Sequence, residues 1–99
     1  MIYPVEFSEE ADNDVNEAFY WYEEQKPGLG LRFTTCIEET LEKIKLNPDL
    51  YPYSFKDFHK ANNDVFPFAV HYKIYRSTIV IVAVLHHKRN LKILKKRKA

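Results

Sequence analysis

Cysteine is almost absent from this 99-residue sequence, in which Cys36 is the single one. One thiol cannot form an internal disulfide or a cysteine framework for a metal, and this usage fits a reducing compartment. The sequence also lacks an apolar run of the roughly eighteen residues needed to cross a bilayer, and its start lacks the blocks of a secretory signal. We therefore expect a cytoplasmic protein with no membrane partner.

Acidic residues are scarce in the second half of the sequence. Met1 to Leu50 contains twelve acidic and four basic residues, whereas Tyr51 to Ala99 contains two acidic and eleven basic ones, and the net charge is only +1. This polarity predicts either that the second half faces a polyanion or an acidic protein segment, or that the two halves attract each other. Charge alone leaves both interpretations open.

The hydrophobic content is sufficient for one core. Hydrophobic residues make up 45% of the chain and aromatic residues 15%, which at this length predicts one domain over residues 1–99. No internal repeat or low-complexity linker interrupts it.

Two amphipathic helices are predicted in the first half. Ser8 is a helix cap, and the first stripe is apolar at Ala11, Val15, Ala18, Phe19 and Tyr22. The run KPGLG ends this helix after Gln25, and a second helix begins near Leu29. Its stripe consists of Phe33, Ile37, Leu41 and Ile44, flanked by Cys36 and Thr40, and Asn47-Pro48 ends it. A connection this short makes the helices antiparallel.

Strands are predicted on both sides of the helix pair. IYPVEFS alternates as a short first strand, Ser54 to Lys60 is a weaker strand, and VFPFAVHYKIY alternates as a half-buried one. TIVIVAVLHH is apolar on both parities, which is typical of a strand covered on both faces, so we expect it at the centre of the sheet.

This order predicts a two-layer α+β fold: an N-terminal strand, an antiparallel helix hairpin and a three-stranded antiparallel meander (βααβββ). The helices pack on one face of the sheet. The other face is expected to stay partly open, bordered by basic strand ends. The basic C-terminal tail consists of Lys95, Lys96, Arg97 and Lys98. It is expected to be solvated and frayed, and contact with nucleic acid or an acidic antitoxin is the second interpretation.

Four segments occur in a characteristic order: WYEEQKPGLGLRF, NPDLYP, FPFAVHYKI and AVLHHKRN. Together they resemble the ParE branch of the RelE/ParE toxin superfamily, a plasmid-stabilisation family, over nearly the whole chain. The resemblance implies the toxin of a bacterial type II toxin–antitoxin pair, which inhibits growth when free of its antitoxin. It also implies a small antitoxin partner, whose C-terminal segment wraps the toxin, and assembly into a higher-order complex.

The end of the last strand carries the candidate catalytic residues. In the nuclease branch of the superfamily, basic, histidine and aromatic side chains at such strand ends bind messenger RNA on the ribosome and assist attack of a ribose 2′-hydroxyl. His86 and His87 suit proton transfer near neutral pH, and Arg89 suits the charge of a phosphorane. Adjacent residues in a strand point to opposite faces, so at most one histidine faces the open surface.

Basic residues of the second half are the candidate contacts for the target or the antitoxin. They are Lys56, His59, Lys60, Lys73, Arg76, Lys88, Arg89 and Lys92. His71 is interpreted as a packing or surface residue, and Trp21 and Tyr22 as packing of the core and helix hairpin. No cofactor is predicted, and adjacent histidines without a nearby carboxylate or thiol do not predict a metal site.

Two function classes follow from the resemblance. One is an inhibitor that acts by protein contact, since the ParE branch is known for poisoning DNA gyrase; the other is a ribosome-dependent messenger RNA endonuclease. No aromatic residue follows Tyr75, His59 stands where relatives often carry arginine, and Leu91 stands where proline is common. Asn62-Asn63-Asp64 also interrupts a segment that relatives keep apolar or basic. These departures favour the inhibitor. A third class is a module that only binds the antitoxin and has lost its activity.

Overall fold

The computed structural model describes residues 3–97, which form a five-stranded sheet with two α-helices. In chain order the elements are β1 (Val5–Phe7), α1 (Glu9–Gln25), α2 (Leu29–Leu46), a 3₁₀ helix (Pro48–Leu50), β2 (Tyr53–Phe55), β3 (Phe58–Asn62), β4 (Phe68–Tyr75), β5 (Thr78–His86) and a C-terminal 3₁₀ helix (Leu91–Lys96). The predicted α+β class and element order are confirmed. Ile2 of the predicted first strand lies outside the described residues.

The strands lie side by side in the order β1-β5-β4-β3-β2. β2 to β5 pair antiparallel, and β1 pairs parallel with β5. β5 therefore has a neighbouring strand on each side, which agrees with its apolar sequence, although β4 is the middle strand of the five. Arg76 and Ser77, both at positive φ, form the two-residue turn between β4 and β5.

The segment predicted as one weak strand from Ser54 to Lys60 is a tight hairpin of two strands. β2 and β3 pair antiparallel, and Lys56 in the turn between them has a φ of 50°. Lysine rarely adopts this conformation, so a lysine at this position does not predict a turn. The predicted three-stranded meander is therefore extended by one strand.

The two helices form the predicted antiparallel hairpin. The Ser8 hydroxyl accepts a hydrogen bond from the Ala11 amide at 3.1 Å and caps α1. Gly28 closes the connection with a φ of +89°. Neither helix within residues 3–97 combines the length and apolarity needed to cross a bilayer.

The helix connection is held by one carboxylate and one close contact. Glu23 accepts hydrogen bonds from the amides of Gly28 and Gly30 at 3.0 and 2.9 Å, and these bonds, that from Gly28 first, lower the pKa of Glu23. A Cβ on Gly30 would lie 2.5 Å from the carbonyl oxygen of Phe19. The glycine is therefore what lets α2 start so close to α1.

The core lies between the helices and one face of the sheet. Phe33 of α2 is fully buried and its ring centroid lies 5.3 Å from that of Tyr22, 5.3 Å from Phe66 and 4.9 Å from Phe68. These distances and mostly edge-to-face angles are typical of stabilising aromatic pairs. The packing predicted for Tyr22 is thus present. The same prediction for Trp21 is wrong, because its side chain projects away from the core and is 58% exposed.

The opposite face of the sheet is covered rather than open, which corrects two predictions. The C-terminal 3₁₀ helix lies on this face and buries Leu94, which is 1% exposed, against Val82 and Leu85. Ile93 and Leu94 explain why the basic tail folds back, since their apolar side chains pack on the sheet while the lysines on either side of them stay in solvent. Lys95 and Lys96 remain exposed, and Lys98 lies outside the described residues.

Candidate functional site

A β-bulge in β5 determines which way the end of this strand faces. His71 of β4 lies opposite Ala83, but its neighbour Tyr72 lies opposite Ile81, so Val82 is an extra residue in β5. Ile79 and Ile81 face the helices, and after the bulge it is the even-numbered Val84 and His86 that do so. The bulge thereby aims His86 towards α1.

A groove separates α1 from the end of β5. We call it the Trp21 groove; its volume is about 370 Å³, and it is lined by Glu17, Trp21, Tyr22, Phe68, His86 and Arg89 among others. Its floor is aromatic and its rim carries charges of both signs. The groove therefore has the apolar base and polar border that are typical of protein contact sites.

His86 is held in one orientation at the groove. Its ring packs edge-to-face on Phe68, with centroids 5.3 Å apart, and its Nδ1 accepts a hydrogen bond from the Lys88 amide at 3.0 Å. The neutral ring therefore carries its proton on Nε2, where it can donate a hydrogen bond to an incoming group. His87 is exposed and belongs to the opposite side of the sheet.

An ion pair closes the edge of β5 beside the groove. β1 pairs with β5 only as far as Ile81, which leaves the following backbone groups without a strand neighbour on that side. The Asp14 carboxylate accepts a hydrogen bond from the Val84 amide at 3.0 Å, and Arg97 donates one to the Val82 carbonyl at 3.2 Å. Asp14 and Arg97 also bind each other through two hydrogen bonds.

This pair connects α1, the sheet and the C-terminal 3₁₀ helix. Asp14 comes from α1 on one side of the sheet and Arg97 follows the C-terminal 3₁₀ helix on the other, and their side chains are only 11% and 13% exposed. Arg97 was predicted to lie in a frayed tail, so its burial is a correction. The sequence held no signal for a partner 83 residues away.

A small second cavity lies on the face that the C-terminal 3₁₀ helix covers. We call it the Lys60 cavity; it measures about 60 Å³ and is lined by Lys60, His71, His86, His87 and Leu91 among others. His71 is 1% exposed, and its Nδ1 lies 3.1 Å from the Ser54 hydroxyl. Burial first, and then the positive charges of Lys60, Arg97 and His87, lower the pKa of His71 to about 4.

His59, a predicted binding residue, does not reach the surface. It is only 4% exposed. Its ring centroid lies 5.0 Å from that of Tyr72 in a stacked arrangement and 4.3 Å from that of Tyr53. Its Nδ1 bonds the Tyr51 carbonyl at 2.7 Å. The ring is part of an aromatic stack, so His59 lies apart from the exposed basic residues with which it was predicted to bind.

The remaining basic residues predicted for binding fall at two ends of the sheet. β5 spans about 27 Å at the usual rise per residue, so its two ends are well separated. Lys56, Lys73 and Arg76 lie at or near the hairpin turns at one end, and Lys60, Lys88, Arg89 and Lys92 lie towards the other. Lys73 and Arg76 both contact the ring of Tyr75. The predicted residues are therefore not one continuous surface.

The predicted catalytic residues are divided in the same way. Arg89 lines the Trp21 groove on the helix side, together with Asp14 and Glu17, whereas His87 lines the Lys60 cavity; His86 borders both. The Glu17 carboxylate in the same groove opposes the approach of a phosphate, whereas the charge of Asp14 is balanced by Arg97. Within residues 3–97, no group of three or more histidine, cysteine or acidic side chains is placed to hold a metal.

Three comparisons with known proteins bear on this fold. The family model described as "ParE toxin of type II toxin-antitoxin system, parDE" matches residues 5–91. A solved structure described as "Chromosomal ParDE TA system from P. aeruginosa" is similar with a TM-score of 0.77 and 13% identity, over 86% of this chain and 96% of that chain. At this identity the likeness shows a shared fold. No curated protein matches the chain.

Proposed function

The chain belongs to the family of ParE toxins of type II toxin–antitoxin systems, and we propose that it inhibits growth through protein contact with a target such as DNA gyrase. The family makes it a toxin; the target and the mode of action are the proposal. Its cellular counterpart is a small antitoxin that keeps it silent until released.

The Trp21 groove is the observation that carries the proposal. Tryptophan is among the residues that contribute most to protein interfaces, and here a 58% exposed Trp21 stands over an aromatic floor of Tyr22 and Phe68. A nuclease needs its basic and acid–base groups converging on one phosphate. Arg89 lines only the Trp21 groove and His87 only the Lys60 cavity, so these groups do not converge on one site, which supports inhibition by contact.

The experiment measures both activities in one preparation. Purified protein is assayed for inhibition of gyrase supercoiling and for ribosome-dependent cleavage of a translated messenger RNA. We expect the first without the second, and we expect Trp21→Ala to weaken inhibition at least about tenfold. Tyr20→Ala is the matched control, because Tyr20 is a neighbouring aromatic that is 64% exposed but does not line the groove.

Two results contradict the proposal in different ways. Ribosome-dependent cleavage that is lost in His86→Ala and Arg89→Ala establishes the endonuclease instead. A folded protein that binds its antitoxin but stops neither replication nor translation in cells is a binding module without toxicity.

The antitoxin is proposed to dock partly on the basic end of the sheet. Lys88, Arg89 and Lys92 are exposed there, and Arg89 also borders the Trp21 groove. An acidic segment reaching this end would neutralise charges and place an apolar side chain in the groove. The complex should then weaken as salt is added.

The test uses the product of the adjacent reading frame as the binding partner. The double variant Lys88→Ala, Lys92→Ala should weaken the complex and flatten its salt dependence. Lys73→Ala, Arg76→Ala removes the same charge at the opposite end and serves as the control. Equal losses in the two variants would mean that only overall charge matters.

A further inference from the structure

The Lys60 cavity is not used by the proposed function, and its polar lining consists of nitrogen-bearing side chains. Lys60, His71, His86 and His87 surround it, and no carboxylate lines it. Lys60 has no carboxylate within 4.0 Å among residues 3–97. A half-enclosed space with positive neighbours attracts an anion.

The orientation of His71 adds a chemical requirement. The Ser54 hydroxyl has one proton, and its oxygen lies 3.4 Å from the Phe58 carbonyl and 3.1 Å from His71 Nδ1. The carbonyl can only accept, so we assign the hydroxyl proton to it and the imidazole proton to Nδ1. The Nε2 atom of His71 then carries a lone pair.

This Nε2 opens on the cavity. It has no hydrogen-bond partner among the described residues. Every side-chain nitrogen or oxygen in residues 3–97 that is shielded from solvent does have a partner, so Nε2 must have some solvent contact. His71 as a whole is 1% exposed and lines the Lys60 cavity. The cavity is therefore the route by which Nε2 meets a small molecule. It presents one acceptor beside the donors Lys60 and His87.

We propose that the Lys60 cavity binds hydrogen phosphate or the terminal group of a phosphate monoester. One P–OH donates to His71 Nε2, and the charged oxygens accept hydrogen bonds from Lys60 and His87. The volume of about 60 Å³ is several times the minimum of ~10–15 Å³ that one water requires, which leaves room for a small anion. The site goes beyond the proposed function and does not depend on which target the toxin binds.

The pattern discriminates between anions of the same shape. Sulfate and phosphodiesters have no proton to donate at neutral pH, so each would place an oxygen against the Nε2 lone pair. Both are therefore expected to bind at least about tenfold more weakly than phosphate, because a polar atom in the cavity is left without a partner. Acetate lacks the proton as well.

The experiment is a nuclear magnetic resonance titration of the histidine rings and backbone amides near pH 6.5 at constant ionic strength. Sodium phosphate, methyl phosphate, sodium sulfate and dimethyl phosphate are added separately to the full chain. Phosphate should produce saturable shifts centred on His71 and Lys60. If methyl phosphate binds as tightly, the site takes a monoester terminus; if only phosphate binds, it takes the free ion.

A pH series gives a second readout. A bound anion offsets the positive charges of Lys60, His87 and Arg97 around His71, so its pKa should rise from about 4 when phosphate is present. A purely structural histidine would keep the same titration curve with and without phosphate.

Matched variants separate the cavity from general charge. Lys60→Met keeps the stem, removes the charge and should lower phosphate affinity about tenfold. Lys73→Met removes a lysine from the same face of the sheet that does not line the cavity, and should leave affinity unchanged. Circular dichroism checks that both variants are folded.

The proposal fails on any of three results. Sulfate that binds as tightly as phosphate contradicts the assigned proton on Nδ1. Equal losses in Lys60→Met and Lys73→Met indicate only diffuse attraction. Shifts that rise linearly with phosphate, without saturation, show that no site exists.

Discussion

The two faces of the sheet are covered by very different amounts of chain. One face lies under α1 and α2, which bury large apolar side chains such as Phe33, Ile37 and Ile44. The other lies under the six-residue C-terminal 3₁₀ helix, whose main anchor is Leu94. The helix face therefore contributes most of the packing that stabilises the fold. The face under the 3₁₀ helix buries fewer apolar side chains, so it can open and expose its cationic residues with a smaller loss of packing.

The largest expected effect is on the helix face. Phe33→Ala removes a fully buried ring that contacts three other aromatic residues and should destabilise the protein by about 3–5 kcal/mol. Chemical denaturation measures the loss. Leu31→Ala, on the same helix but 65% exposed, is the control and should change little.

The second prediction concerns the Asp14–Arg97 pair that ties the thin cover to the rest. Asp14→Ala leaves Arg97 without its carboxylate in a site that is 13% exposed, and should destabilise the fold by about 3 kcal/mol. Hydrogen exchange should accelerate most at the C-terminal 3₁₀ helix. Uniform acceleration throughout the sheet would mean that the two faces are not independent units.

The third prediction uses pH. Burial and nearby positive charges lower the pKa of His71 from 6.5 to about 4 in the folded protein. As pH falls, the unfolded state therefore binds the proton first. The stability from neutral His71 is complete above pH 6.5 and is lost progressively down to about pH 4, amounting to at most about 3 kcal/mol. His71→Gln should be flatter over this window in denaturation series. Parallel curves for the two proteins would contradict it.

The smallest effect is expected from the exposed ion pair. Lys43 and Asp64 lie 3.1 Å apart, but their side chains are 62% and 80% exposed. Water and salt screen such a pair, so Lys43→Ala should leave the melting temperature unchanged. A drop as large as that of Asp14→Ala would break the distinction drawn between buried and exposed pairs.

The sequence predicted the fold because its signals are local. Ser8, Gly28 and Pro48 mark helix ends through short-range chemistry, and the apolar stripes state which side of each helix is buried. β2 was not predicted as a separate strand because the turn after it has no local signal. Lys56 lies in that turn at positive φ, a conformation that lysine rarely adopts.

The candidate site was harder to predict because it depends on contacts between distant segments. The Trp21 groove needs α1 beside the end of β5, and the Lys60 cavity needs β3, β4 and the chain after β5 together. The basic residues around Arg97 predict a solvated tail, whereas the ion pair with Asp14 holds Arg97 against the sheet. Composition could indicate a cationic second half but not its division between two ends of the sheet.

The extra residue at Val82 has a consequence for comparing this chain with its relatives. Every side chain after Val82 lies on the face opposite to the one that regular alternation from the start of β5 gives. An uninterrupted strand would therefore place its preceding residue where His86 stands. Matching residues by column alone across this point would pair groups that lie on different sides of the sheet. Deleting Val82 should accordingly straighten β5 and leave His86 and His87 on their present faces, because Ala83 would then follow Ile81 in regular alternation.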